Sequence, residues 1–471
     1  MRFNVSHFYK KDKKLVSEPT PSKKRSFIEN TKKYFKEYSE VTGIHGLRYL
    51  TETRSIFENP VVISFSTKDT PIYEIPFPAV TICPESKYKI EKFNYTDIYY
   101  KLINENETIS DENLRNFEYM SLLCKGENGK TILKNSFKTV GDDFFEVIDK
   151  LKPDLFVVCS FMGFWQNCTE LFTPIVIDEG VCYSFNMLGR SEIFREDVIY
   201  DKNFYNVTSP SDNYCYDAGY ADNAGIYTYP RRALVSGADN SLDITLFHNP
   251  NDTDYICSQF LEGFRVMIHS PLDMPRLSKH YFRVPLDRAV VVAIQPNLIA
   301  TSDSIKKYSS ETRNCYTSTE RRLKYFKVYS QSNCMLECQT NYTLNMCGCV
   351  NFFMPRDNAT AICGGANTAC LKNADAALKI NDLTSKISGG VESYKSSCDC
   401  KPSCTELTYS LETSQSNLQW KEFFASVKEV NIENKNEDLS SSEKSKEMNC
   451  MDRLIWYQIL EDFWDYLLDF L

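Results

Sequence analysis

The sequence predicts an oxidised, disulfide-rich domain of mixed helix and strand lying outside the cytosol, and three observations predict it. Eighteen cysteines are present, and all but Cys450 fall between Cys83 and Cys404. Seven Asn-x-Ser/Thr acceptors, Asn94, Asn106, Asn167, Asn206, Asn251, Asn341 and Asn358, lie between the same limits. Short β-branched runs bounded by turn residues share that region with helical spacings. A reduced chain rarely holds so many thiols, and sequons at this density suit the secretory pathway.

Length and composition fit a folded chain: 471 residues with 42% hydrophobic content can bury a core or two. The net charge of −9 is uneven, because residues 1–50 hold twelve Lys/Arg against five Asp/Glu, leaving +7 there and −16 in the remainder. The basic end (Lys10, Lys11, Lys13, Lys14, Lys23, Lys24, Arg25) reads as a nucleic-acid arm, a solvated tail or the cytoplasmic flank of a membrane span. Five scattered histidines, no Gly-x-Ser-x-Gly and no phosphate loop argue against an enzyme.

Along the chain, residues 60–65 alternate like a strand. Pro71, Pro76 and Pro78 then confine the backbone to edge or extended structure until residues 79–83. Residues 90–160 read as more helical. Strands are expected at 180–186, 263–269 and 288–294. Residues 320–346 have helical spacing, and a cysteine-dense loop runs on to Cys404. Residues 431–447, rich in Asn, Glu, Ser and Lys, read as a linker. The sequence predicts no signal peptide and no membrane span: residues 289–294 are too short, and residues 454–471 too acidic. A further reading of 454–471 is an amphipathic helix with Glu461, Asp465 and Asp469 on one face.

Cys334 and Cys338, at i and i+4, fall on one face of a helix, so two partners on a returning segment can bridge them as rungs. Cys398-Asp399-Cys400 is that segment, with an i, i+2 spacing that places both sulfurs on one side of an extended strand. The alternative is zinc held by Cys347-Gly348-Cys349 and Cys398-Asp399-Cys400, but zinc favours C-x2-C spacing and a reducing compartment. The expectation is therefore no metal and no other cofactor.

Three strings resemble one family in the right order. Gly43-Ile44-His45-Gly46-Leu47-Arg48 looks like the His-Gly motif before the first span of degenerin/epithelial sodium channels. Phe77-Pro78-Ala79-Val80-Thr81-Ile82-Cys83 is similar to the string that opens their extracellular palm. Tyr329 followed by Cys334, Cys338, Cys347, Cys349 and Pro355, then Cys363, Cys370, Cys398, Cys400 and Cys404, resembles their cysteine-rich thumb. Residues 180–186, 229–234, 263–269 and 281–285 match the insect pickpocket branch, so the resemblance covers about residues 40–425.

The resemblance implies an α+β extracellular domain of the acid-sensing/epithelial sodium channel type, with a palm β-sheet, β-ball, helical finger, knuckle and thumb. It implies a multi-pass plasma-membrane subunit of a homo- or heterotrimeric, amiloride-sensitive, stimulus-gated channel with Na+ as the permeant ion and no nucleic-acid partner. His45 and Gly46 would carry the gating motif. The implied disulfides are Cys83–Cys182, Cys159–Cys168, Cys315–Cys404, Cys334–Cys400, Cys338–Cys398, Cys347–Cys370 and Cys349–Cys363. Four cysteines remain, of which Cys215 and Cys257 are expected to pair, with Cys124 left open.

Both spans of the family are missing from this reading. Residues 1–50 would be the cytoplasmic segment, and residues 51–60 the junction where the first span is absent, with a join near Glu58 and Asn59. Residues 61–430 would form the extracellular domain, with the thumb at about 300–405. Residues 431–471 would be the linker and an out-of-frame tail. Reading each codon's third base with the next two bases forces Glu, Leu, Tyr or His, and Gly across residues 448–452. The same frame forces Leu, Gly, Leu across 463–466, which is similar to the family's approach to its second span. The alternative to a conducting subunit is a non-conducting, cysteine-rich binding module or regulatory isoform.

Overall fold

The computed structural model describes residues 70–422 and 426, apart from 105–107, 125–136, 208–210, 212–213, 217–218, 259–260, 303–305 and 388–397. The strand expected at 60–65, the junction at 51–60 and everything read into residues 427–471 lie outside the described residues. The chain divides into two compact units: one runs to Val284 and resumes over Ile294–Leu411, and the other comprises Pro285–Ala293 and the residues from Glu412 onward.

Pairing in the first unit begins where proline stops preventing it. Pro76 and Pro78 have no N–H to donate to a ladder, and β1 (Ala79–Pro84) starts one residue later. The expectation of an edge strand ends there, because β1 lies inside a five-stranded antiparallel sheet and is buried along its whole length. Helices come next: α1 (Tyr95–Asn104), α2 (Asp111–Leu123) and α3 (Phe144–Leu151). Asn94 caps α1 by accepting the Asp97 N–H at 2.9 Å, and Ser110 caps α2 by accepting that of Asn113. Tyr95 stacks on Phe117 at 4.3 Å, and Phe144 meets Tyr119 edge-on at 5.3 Å, so rings of all three helices share one apolar cluster.

Strand β2 (Phe156–Phe161) turns into β3 (Phe164–Gln166) through Met162 and Gly163, both with positive φ (58° and 76°). Two such residues match the right-handed twist of the strands they join. The one-turn helix α4 (Cys168–Leu171) leads into β4 (Phe172–Ile177), which pairs with β5 (Gly180–Phe185). After α5 (Arg190–Ile193) come the short β6 (Tyr214–Cys215) and β7 (Gly219–Tyr220), then β8 (Leu242–Leu246) beside β2. Strands β9 (Phe264–His269) and β10 (Phe282–Val284) complete the large sheet, whose order is β10-β9-β1-β5-β4. Phe161 packs against Phe77 and Phe185 at 5.3 and 5.2 Å, which joins the β3-β2-β8 sheet to the larger one.

Strand β11 (Arg288–Ile299) pairs with β12 (Glu406–Asn417) in a two-stranded sheet. Between them lie α6 (Ser310–Arg313), α7 (Gln331–Cys347) and α8 (Thr368–Ile387). In the second unit, Asp287 takes a left-handed φ of 55°, accepts the Leu418 N–H at 2.9 Å through its carbonyl, and accepts Trp420 Nε1–H at 2.7 Å through its carboxylate. Among the described residues, no helix is long and apolar enough to cross a membrane.

Thr81 is the polar exception at the centre of the large sheet. Its hydroxyl lies 2.8 Å from His269 Nε2 and 2.9 Å from Ser184 Oγ, all three groups being buried. His269 Nδ1 is 2.9 Å from the Ser270 carbonyl, which can only accept, so Nδ1 carries the proton and Nε2 accepts from Thr81. Burial pushes the imidazole down to about 4. The unfolded chain therefore binds this proton near the ordinary 6.5 and the folded one only near 4, so stability contributed by this group is present above about 6.5 and falls as pH drops toward 4. Chemical denaturation at pH 8 and pH 5 should show a loss of about 2 kcal/mol at the lower pH from this group alone. The loss should be absent in His269→Asn.

Candidate functional site

Helix α7 organises the cysteine-rich region. Ser330 caps it by accepting the Asn333 N–H at 3.1 Å. Cys334 and Cys338, one turn apart, bond to Cys400 and Cys398, with Cα separations of 5.7 and 5.5 Å. The returning segment is a turn rather than the expected extended strand. Asp399 sits between the two cysteines at φ 46°. Its carboxylate accepts from the Tyr316 hydroxyl at 2.9 Å and from Arg321 Nη1 at 2.5 Å, while Arg321 Nη2 donates to the Cys398 carbonyl at 2.8 Å. A residue that tolerates the left-handed region and has two donors at hand explains the departure.

Between the rungs, the largely buried Glu337 accepts the backbone N–H groups of Lys324 and Tyr325, each at 2.9 Å. Asn333 accepts from Met274 N–H at 3.0 Å and donates to the Leu272 carbonyl. Gln339 accepts from Arg276 Nη1 at 2.7 Å and donates to Asp375 of α8 at 3.0 Å. The helix stops at Gly348, φ 71°, where only glycine is unstrained. Cys347–Cys370 and Cys349–Cys363 tie that end to α8 and the loop before it, and Cys315–Cys404 closes the base. A surface cavity of about 220 Å³ opens beside the Cys338–Cys398 rung, lined by Arg321, Tyr342 and Asn345 among others. Helix α8, twenty residues inside the expected cysteine loop, was not anticipated.

In the sheet, Cys83–Cys182 crosses between β1 and β5 at 4.5 Å, and Cys159–Cys168 closes the β2–β3 hairpin. The expected Cys215–Cys257 bond is not formed. Cys257 pairs with Cys124 at the end of α2, Cα separation 4.5 Å, and Cys215 is free and exposed on β6. The reason lies in Asp254, a buried carboxylate whose Oδ1 accepts the Ile256 and Cys257 N–H groups at 2.8 and 3.0 Å. Its Oδ2 accepts from the Tyr88 hydroxyl and from Thr96 N and Oγ1 at 3.2 and 2.7 Å. Asp254 thus binds the start of α1 and turns Cys257 inward. Cys257 is fully buried and bonded to Cys124, whereas Cys215 is exposed.

Reasoning on the sequence also missed the charge cluster at the end of β1 and β9. Arg265 forks onto Glu85 at 2.7 and 3.2 Å and reaches Glu179 at 3.0 Å, while Arg283 adds a contact to Glu85 at 2.6 Å. Tyr281 lies under both guanidinium groups, at 5.0 and 5.5 Å. Burial pushes the Glu85 carboxyl up, but the hydrogen bond from Arg265 and the Lys87 charge bring it below the ordinary value. An arginine inside an otherwise apolar strand, residues 264–268, was the one available signal.

Of the seven sequons between Cys83 and Cys404, six are described; Asn94, Asn167, Asn206, Asn251 and Asn358 are exposed, and Asn341 on α7 is half-buried. His45, Gly46, Asn106 and Cys450 lie outside the described residues.

An antiparallel sheet crossed by one disulfide, and a helix cross-linked along its length to the segments that follow it, define a disulfide-rich domain of mixed helix and sheet. The family profile described as "Amiloride-sensitive sodium channel" matches residues 49–460, and the chain belongs to that family of ion channels. It is 28% identical over 373 residues to Pickpocket protein 28 of Drosophila melanogaster, covering 76% of this chain and 56% of the relative. It is 25% identical over 376 residues to Acid-sensing ion channel 1C of Danio rerio, covering 76% and 58%. To Sodium channel protein Nach of Drosophila ananassae it is 21% identical over 447 residues, covering 87% and 77%. The chain spans about half the length of Pickpocket protein 28 and of Pickpocket protein 11, both of Drosophila melanogaster.

Two outcomes test this geometry. Alkylation without reductant should label Cys215, and peptide mapping should recover a Cys124–Cys257 link. Asp254→Ala should cost about 3 kcal/mol in urea unfolding, because it strands several buried donors at once. A loss below about 1 kcal/mol would mean the carboxylate is not the hub described.

Proposed function

We propose that the chain is a subunit of a sodium channel of the plasma membrane and that the described residues form its extracellular sensing domain. In this reading the five-stranded sheet is the palm, β3-β2-β8 belongs to the ball, and α1–α3 form the finger. Helices α7 and α8 with their disulfides form the thumb. The observation that carries the reading is the thumb-type ladder on α7, found in a chain whose family match runs from residue 49 to residue 460. A helix cross-linked along its length moves as one lever, and force or ligand binding at one end is delivered at the other without loss in bending.

The complete subunit would carry two spans and assemble as a homo- or heterotrimer. His45 and Gly46 would sit before the first span, and small residues of the second would replace the hydration shell of Na+. The join near Glu58–Asn59 and the shifted frame after Lys446 are where those spans belong. The exposed sequons among the described residues would be glycosylated on the outer face.

Sequencing the transcript across these two places, then recording from cells that express the product alone and with related subunits, tests the reading. The expected result is an amiloride-blocked inward current that disappears when external Na+ is replaced by a large organic cation. Breaking the ladder with Cys338→Ser should reduce the stimulated current several-fold while surface labelling falls less. A complete two-span transcript that never supports Na+ current, alone or in company, would sink the proposal and favour a non-conducting module.

A further inference from the structure

The β2–β3 hairpin exposes apolar rings where a folded surface normally hides them. Phe164 is 71% exposed and Trp165 46%. Trp165 makes no ring contact among the described residues. Two positions beyond it stands Asn167, whose backbone is still extended (φ −62°, ψ 123°). Residues i and i+2 of extended chain project to the same side, so the indole and the Asn167 carboxamide share a face. The Cys159–Cys168 bond, Cα separation 5.3 Å, holds this end of the hairpin in place.

The carboxamide is oriented as well. Asn167 Oδ1 accepts both the Thr169 N–H at 3.0 Å and the Thr169 hydroxyl at 2.9 Å, which leaves Nδ2 uncommitted. Thr169 is itself exposed. At Asn341 and Asn358 the corresponding Thr343 and Thr360 are buried, at 2% and 7%. Of these three sequons, only Asn167 combines an exposed acceptor, an exposed hydroxyl and an unpartnered aromatic surface on the same face.

We propose that Asn167 carries an N-glycan whose first N-acetylglucosamine lies against the indole of Trp165 and completes the hairpin surface. Asn167 Nδ2 bonds to the anomeric carbon of a lipid diphosphate-linked oligosaccharide, the bond from that carbon to the phosphate oxygen breaks, and Nδ2 gives up one proton as the lipid diphosphate departs. The sugar's axial C–H groups then face the electron-rich ring, an attraction of the same kind as other contacts to aromatic faces. Water leaves the indole, and the sugar's hydroxyls face solvent in its place. The inference rests on the extracellular reading of the domain.

The test uses the full chain produced in a eukaryotic secretory cell, with glycopeptide masses read at every sequon and a thermal-unfolding cycle over Trp165→Ala, Asn167→Gln and the double variant. Asn167 should be occupied, and Asn167→Gln should lower the unfolding midpoint by about 1–2 °C. It should have no further effect once Trp165 is alanine. Endoglycosidase trimming to a single N-acetylglucosamine should leave the midpoint unchanged, and acrylamide quenching of tryptophan fluorescence should rise in Asn167→Gln and not in the trimmed protein. An unmodified Asn167 beside occupied Asn94 or Asn251 overturns the proposal and leaves the extracellular reading intact. So do additive effects of the two substitutions. If all seven sequons are empty, the extracellular reading falls with it.

Discussion

The constraint on which the cysteine-rich region depends is the pair of bonds from one face of α7 to Cys398 and Cys400. Bridges closing loops of 66 and 60 residues would each be worth about 4 kcal/mol if formed alone, through the freedom they remove from the unfolded chain. They are not additive, because the first rung already closes nearly the loop that the second one closes. The second rung instead removes rotation about the first. Two attachment points a helical turn apart fix both the position and the heading of the returning chain, and Asp399, Arg321 and Tyr316 then hold the turn between them. With its direction set, α7 can offer Asn333 and Gln339 to the loop from Leu272 to Arg276, and Glu337 to the loop at Lys324 and Tyr325, neither of which has regular structure of its own.

Buried charge serves the same end elsewhere. The Glu85–Arg265–Glu179 group withdraws three charged side chains from water, so its net contribution to stability is small beside that of a well-packed apolar replacement. Its effect is selective: a forked guanidinium is satisfied only when β1, β9 and the β4–β5 turn are all in register. Asp254 works alike, with five acceptor contacts that close only when α1, the segment around Tyr88 and the turn at Cys257 have come together. Both groups sit close to disulfides, Cys83–Cys182 and Cys124–Cys257, so polar recognition and covalent closure reinforce the same pairings.

Much of this was legible in the residues. The runs at 180–186 and 263–269 are strands because their β-branched and aromatic residues, bounded by turn residues, pack well on a pleated surface. The i, i+4 cysteines are rungs because the helix puts them on one face. The readings that departed from the structure share a cause. A cysteine-dense stretch hides helix α8, because Ala- and Leu-rich spacing is weak against the loop signal of the cysteines around it. Cys398-Asp399-Cys400 has the spacing of a strand but takes a turn, since Asp399 finds donors only the folded neighbourhood supplies.

By itself, then, the sequence determined the oxidised class, the strands near 180–186, 263–269 and 288–294, the rung-bearing face of α7 and the family to which the chain belongs, because these follow from residue type and local period. Only the tertiary structure decided that Cys257 bonds Cys124 and not Cys215, that β1 lies inside its sheet, and that Arg265 is held between Glu85 and Glu179. Each of those outcomes depends on groups tens to hundreds of residues apart meeting in space, and no local pattern carries that distance.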